Sequence, residues 1–260
     1  MSSNKAKITE QADMIMDSEK YIDLYSQSRL NGYSSIDEHE QNFQMLDKIA
    51  SKLGRIEIII RNRIDRKMSQ SNKDWLFNLP DHIHLDASDE TKDHDILVSR
   101  QTFGFWIQVA KYYKIESIAF DKKFLDSLSF KKYCQFNLDK TNKRPFRRWQ
   151  KSRILLQLAK NIRNRAFHLE NLLKLQQNGL PRLSAKVDFE NNDFAIKRIN
   201  PNKLITFLDD ILKGFEINLV EYKWGDGSPI NNFNYSAILA KKQEFCDKIL
   251  RYFLCLFRLA

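Results

Sequence analysis

The chain has 260 residues and carries 43 Lys+Arg against 33 Asp+Glu, a formal net charge of +10. With 42% hydrophobic and 29% charged residues it has an ordinary globular balance, and its 7 Gly and 5 Pro are too few for an all-β fold of many tight turns. The basic surplus points to an anionic partner, because Lys and Arg gain free energy by releasing counterions from a polyanion.

Three cysteines, Cys134, Cys246 and Cys255, show no C-x-x-C pair and no Cys/His ligand spacing, so they read as buried reduced thiols. Met1 to Glu10 is polar and lacks a signal-peptide core, and the apolar stretches are too short or too charged to span a bilayer. A cytoplasmic location follows by elimination, with no membrane partner.

In chain order, the first few residues read as disordered, and a helix is expected from about Thr9 to Arg29, closed by Asn31-Gly32. A long helix follows from about Ile36 to Met68. Its apolar stripe is Leu46, Ile49, Leu53, Ile56, Ile60 and Ile64, at steps of three and four. Trp75 to Leu79 reads as a short docked segment closed by Pro80. Asp81 to Asp95 holds His82, His84 and His94 among acids, but the spacing matches no metal motif and reads as a solvated loop. One helix is expected over Ile96 to Tyr113, with Phe103, Phe105 and Trp106 read as core rather than as a base-stacking platform.

Ala119 to Asn142 suggests a short helical stretch and a basic loop. Pro145 is placed near the first turn of the longest helix, which is expected to end at Asn178-Gly179. Residues 183–199 alternate polar and apolar around Asn191-Asn192, which suggests a small β-hairpin. Helices over about Pro201 to Phe215 and Tyr235 to Leu259 complete an all-α chain. It reads as a single domain over 1–260, with a core of about 36–178 and a C-terminal helical part of about 200–260.

The segment Lys160-Asn-Ile-Arg-Asn-Arg-Ala-Phe-His-Leu-Glu170 carries the candidate chemistry. On a helix, Leu155, Ala159, Ile162, Ala166, Leu169 and Leu173 form one core-facing stripe. Asn164 and His168, four apart, share a roughly opposite face, and Arg163 lies about 140° from His168. Ile154, Leu158, Leu172 and Leu175 make a mixed apolar flank that invites another helix or a second subunit. RNA carries its own nucleophile, the 2′-hydroxyl. Its cleavage needs a base, an acid and positive charge on the phosphorane, roles that an Arg and a His can cover without a metal ion. By spacing alone this remains one reading among several, since Arg, Asn and His fall together on many helices.

Arg163-Asn164-Arg165-Ala166-Phe167-His168 resembles the R-N-x-x-x-H signature of the HEPN superfamily of ribonucleases. The chain resembles more specifically the Abi-like, abortive-infection branch. Glu57-Ile-Ile-Ile-Arg61-Asn62, followed by Trp75, is similar to that branch's early E-x-x-x-R-N helix, and Thr102-Phe-Gly-Phe-Trp106 to its F-G-F-W segment. The resemblance spans about residues 40–175. It implies a HEPN-like helical bundle and an endoribonuclease that cleaves RNA with no metal and no cofactor. The site would be composite, formed where two signature helices meet, usually across a homodimer. The implied role is phage defence or toxin activity, restrained by an antitoxin protein or a regulatory small RNA. Arg163, Asn164 and His168 carry over as catalytic.

Glu57 and Arg61 read either as an i,i+4 helix ion pair or as a pair that orients Arg163 or His168, with Arg61 also able to contact RNA directly. Arg144, Arg147 and Arg148 read as a basic platform for RNA phosphates or as solvated surface. The competing classes are a catalytically silent RNA- or protein-binding HEPN-like module and a subunit paired with a nucleotidyltransferase. Fold alone separates none of them.

Overall fold

A computed structural model describes residues 19–85, 93–141, 144–189 and 193–215. The chain divides into two compact units, Met1–Leu219 and Val220–Ala260, and every described residue lies in the first. The start of the N-terminal helix, the hairpin tip Asn191-Asn192, Cys246, Cys255 and the expected helix Tyr235 to Leu259 lie outside the described residues.

The described part is mostly helical, with two small antiparallel hairpins. Residues 19–25 are helical (α1). The chain breaks at Ser26, in the left-handed region at φ 64°, and resumes as α2, Gln27–Leu30. Next comes α3, Ile36–Ser69, whose N-cap Ser35 accepts from the Glu38 N–H, with Asp37 and Glu38 complementing the helix dipole. All six expected stripe residues of α3 are buried, the four isoleucines completely, and each contributes about 2 kcal/mol by leaving water. Trp75 and Leu76, in a 3-10 turn, seal the end of this stripe.

The single helix expected over Ile96 to Tyr113 is two: α4, His94–Arg100, and α5, Phe103–Tyr112. Gln101 is extended at ψ 141°, and Thr102 Oγ1 accepts the Phe105 N–H at 3.3 Å. A Thr cap competes with helix continuation because its hydroxyl satisfies an N–H that would otherwise be orphaned. Phe103, Phe105 and Trp106 are core, as expected.

A 3-10 turn at Glu116–Ala119 and α6, Lys122–Ser127, lead to a short hairpin of β1, Lys140–Thr141, and β2, Arg144–Pro145. Pro145 therefore belongs to a strand, and α7 begins three residues later, spanning Arg148–Phe167. Strands β3, Ser184–Asp188, and β4, Phe194–Arg198, form the expected hairpin, with Ser184 opposite Arg198 and Asp188 opposite Phe194. Ala185, Val187 and Ala195 are buried, and the hairpin packs on α7. The last described helix is α8, Leu204–Lys213.

The core gathers around α3 and α7. Helices α5, α7 and α8 pack on α3, while α5, α6 and β3 pack on α7. Ile154, Leu158 and Leu172 are therefore buried inside the chain at 0–1% exposure, and only Leu175 is exposed. Of the two occupants expected for this mixed flank, another helix or a second subunit, the chain's own elements cover all but Leu175.

Gly214, just beyond α8, has an ordinary φ of −66°, so backbone freedom does not require it. Space does: an added Cβ would lie 2.5 Å from the Phe124 ring, and the Gly214 carbonyl accepts the Asp121 N–H at 2.8 Å. Gly214→Ala is expected to destabilise the fold by about 2 kcal/mol through overpacking, read as a lower urea midpoint with an unchanged slope.

Candidate active site

α7 does not run to Asn178-Gly179. It stops at Phe167, and His168 is its C-cap. The Leu169 N–H donates to the Ala166 carbonyl at 3.0 Å and the Glu170 N–H to the Arg165 carbonyl at 2.9 Å, with Leu169 left-handed at φ 55°. This is the Schellman closure, which satisfies the last carbonyls of a helix. Glycine usually fills the left-handed position. A leucine there costs about 1–2 kcal/mol, and it hid the helix end in the sequence.

The signature residues fall on this last turn. Arg163 reaches back to α3, where its Nε donates to Glu57 Oε2 at 3.1 Å. Both side chains are largely buried, 11% and 15% exposed. The Arg163 guanidinium also lies over the Phe167 ring, 4.9 Å from its centre, and its Nη1 approaches Asn164 Oδ1 at 3.5 Å. The Asn164 carbonyl accepts the His168 N–H at 2.9 Å. The His168 side chain is exposed at the helix end.

Glu57 and Arg61 form no ion pair. Glu57 turns to Arg163, and Arg61 instead donates to the Ser99 carbonyl at 3.2 Å. Glu57 therefore pairs with Arg163 on α7 and not with Arg61 on its own helix. The Arg platform is not brought to the site. Arg148 begins α7 and His168 ends it, about 30 Å apart along the axis. Arg148 is also engaged by Asp126 through two bonds of 2.6 and 2.7 Å, and those bonds hold the Asp126 carboxyl below its ordinary range. Arg144 and Arg147 are exposed and make no side-chain ion pair among the described residues.

His94 is not part of a solvated loop. It opens α4, and its Nε2 lies 2.8 Å from Asp65 Oδ1, which also accepts from Trp75 Nε1 at 3.0 Å. Among the described residues no group of three or more His, Cys, Asp or Glu side chains is placed to hold a metal ion.

The sequence reading missed a set of residues that fix the chain just beyond His168. Asn42 is fully buried on α3. Its Oδ1 accepts the Leu172 N–H at 2.8 Å, and its Nδ2 donates to the Glu170 carbonyl at 3.2 Å and to the Tyr33 hydroxyl at 3.1 Å. Asn171 Nδ2 donates to Glu38 Oε1 at 2.9 Å and to the Gly32 carbonyl at 3.1 Å. Arg29 Nη2 donates to the Leu169 carbonyl at 2.8 Å. Burial pushes the Glu38 carboxyl up, but hydrogen bonds from Asn171 and Ser34 together outweigh it and hold it below the usual range. A signal existed: Asn42 and His39 continue the α3 stripe at the same three- and four-residue steps, as polar residues where apolar ones recur.

No family model, no curated protein and no solved structure matches the chain. No helix among the described residues is long and apolar enough to cross a membrane.

Proposed function

We propose that the chain is a metal-independent endoribonuclease of the HEPN type, serving as an abortive-infection or toxin effector. The observation that carries this reading is the Glu57-held guanidinium of Arg163 on the same terminal helix turns as Asn164 and the exposed His168. Guanidinium N–H groups, held in place here by Glu57 through Nε, are the kind of donor that stabilises the non-bridging oxygens of a phosphorane. An imidazole five residues on, at an open helix end, can take the 2′-hydroxyl proton or return one to the 5′-oxygen. The 2′-oxygen then bonds to phosphorus as the P–O5′ bond breaks, giving a 2′,3′-cyclic phosphate and a 5′-hydroxyl. One imidazole per chain serves one of these proton transfers, so the reading includes a homodimer that supplies the second. An antitoxin protein or regulatory small RNA would restrain the activity.

One observation favours the alternative, a catalytically silent RNA- or protein-binding module. Arg163 is only 11% exposed and already has a carboxylate partner, as a purely structural ion pair would. Incubation of labelled single-stranded RNA in EDTA with wild type, His168→Ala and Arg163→Lys separates the two. The ribonuclease reading expects cyclic-phosphate ends from wild type and rates lower by about 10²-fold or more in both variants. RNA bound but left intact by wild type would establish the silent module instead.

A further inference from the structure

Beyond His168 the chain turns back on itself. The Arg182 N–H donates to the Lys174 carbonyl at 3.3 Å, and Leu175 bridges Pro181 across a turn in which Gly179 is left-handed at φ 73°. This turn returns Arg182 to the end of α7, where its Nη2 lies 3.6 Å from Glu170 Oε2. Arg165 approaches the same oxygen from α7, with its Nη1 at 3.8 Å. Arg165 precedes His168 by three residues, the spacing of neighbours on a helix surface. Arg163, by contrast, turns away to Glu57.

Two guanidiniums therefore share one carboxylate oxygen, and both stand beyond hydrogen-bond distance of it. Among the described residues neither guanidinium donates a hydrogen bond, and Arg165 Nη1 is buried with no acceptor. The carbonyls of the last helical turn are already engaged. Those of Asn164, Arg165 and Ala166 accept main-chain N–H groups from His168, Glu170 and Leu169, and that of Leu169 accepts from Arg29. Lys174 is an exposed third cation on the same turn, and the carboxylate it acts on, Glu38, is taken up by Asn171 and Ser34. Burial lowers the Arg165 pKa, Glu170 offsets part of that and Arg182 adds to it, so the guanidinium is held below its ordinary range. The cluster is short of both negative charge and acceptors. A guanidinium only donates, so an acceptor-rich anion meets both needs, and the oxygens of a phosphate match its fork.

Resting on the ribonuclease reading above, we propose that Arg165 and Arg182 seat a phosphate of single-stranded RNA beside the scissile bond, and that Glu170 holds this seat until the phosphate displaces it. A carboxylate that lies near two guanidiniums and bonds to neither is a weak occupant. A phosphodiester draws both into charge-assisted hydrogen bonds and supplies the acceptor that Arg165 Nη1 lacks. Glu170, 40% exposed, then turns its carboxylate to water. Because Arg165 and His168 are neighbours on one helix face, a phosphate in this seat fixes the position of the next one along the strand against the imidazole.

The test measures binding of a fluorescent, fully 2′-O-methylated single strand by the full chain, using anisotropy over a range of salt. This strand lacks the hydroxyl that cleavage needs, so the outcome is independent of whether the chain is a nuclease. Arg165→Gln and Arg182→Gln are each expected to weaken binding about 10-fold, the loss of one charge-assisted bond. Together they are expected to reduce the salt slope by about 0.7, one phosphate contact on a single strand. Arg182 is 42% exposed and its guanidinium donates no hydrogen bond, so its variant leaves the fold intact. Glu170→Gln is expected to act in the opposite direction and tighten binding about 5-fold, because the competing charge is gone. In a chain that already carries both arginine substitutions, Glu170→Gln is expected to change binding by less than about twofold. Arginine variants that bind within about twofold of wild type with an unchanged slope would overturn the phosphate seat. Equal tightening by Glu170→Gln with and without the arginines would overturn the displacement, since a general charge effect needs neither of them. Wild type that binds inorganic phosphate through these arginines but no strand would overturn the assignment to RNA.

Discussion

Asn42→Leu is expected to lower unfolding free energy by about 3 kcal/mol, a loss large for an isosteric exchange. The leucine fits the space and adds apolar burial, but it strands two main-chain groups. The Leu172 N–H and the Glu170 carbonyl now meet the Asn42 amide, and Leu172 itself is 1% exposed. Each buried polar group left unpaired costs about 1–3 kcal/mol, only partly offset by the added methyls. Asn42→Asp keeps the acceptor for Leu172 and loses the donor to Glu170, so it should fall between leucine and wild type in urea titrations. On the ribonuclease proposal, the same variants should cleave RNA more slowly even where they are still folded, because the segment they release begins at Leu169, the residue after His168. Leucine as stable as wild type would show that Asn42 does not hold this segment.

Glu57→Ala is expected to cost about 3 kcal/mol, because it leaves the Arg163 cation in a site only 11% exposed with its carboxylate gone. Replacing both partners is the informative comparison. Glu57→Ala with Arg163→Met removes the stranded charge and fills the space with an apolar chain, so stability should return most of the way to wild type. Cleavage should not return, since the guanidinium that would bind the phosphorane is absent. A double variant that recovers both stability and cleavage would make the pair structural and place the catalytic cation elsewhere. A double variant no more stable than Glu57→Ala would show that the single substitution acts by some route other than an unpaired charge.

The parts of the fold that could be read in the sequence are those set by periodicity and local turn chemistry. The α3 stripe from Leu46 to Ile64, the Trp75 dock and the 183–199 hairpin each follow from spacing alone, and all are present. The limits of α7 were not legible, for two local reasons. Pro145 suits a first helical turn equally well as an edge strand, and the helix closes on a leucine in a backbone region where glycine is the usual marker. Thr102 was a readable cap that the apolar run on both sides masked.

At the candidate site the sequence supplied the residues but not their pairing. Glu57 has an i,i+4 candidate in Arg61, and helix rules favour that pair. Its actual partner lies 106 residues away, and no local rule weighs a contact of that range. The arginines at 144, 147 and 148 read as a platform for RNA phosphates, yet the 20-residue α7 separates them from His168.

The long range of these contacts has a consequence for how the protein comes into being. Glu57 meets Arg163 across 106 residues, Asn42 meets Leu172 across 130, and Arg29 meets Leu169 across 140. A chain lengthening from its N-terminus holds the Glu57 carboxylate, the buried Asn42 amide and the Arg29 guanidinium long before it holds the turn they fix. Domains tend to fold as units during synthesis, and contacts this distant must await loop closure. Assembly of the site is therefore a late event, timed by the emergence of the segment around residue 172. Until then the polypeptide on the ribosome carries only one side of the contacts that shape the turn.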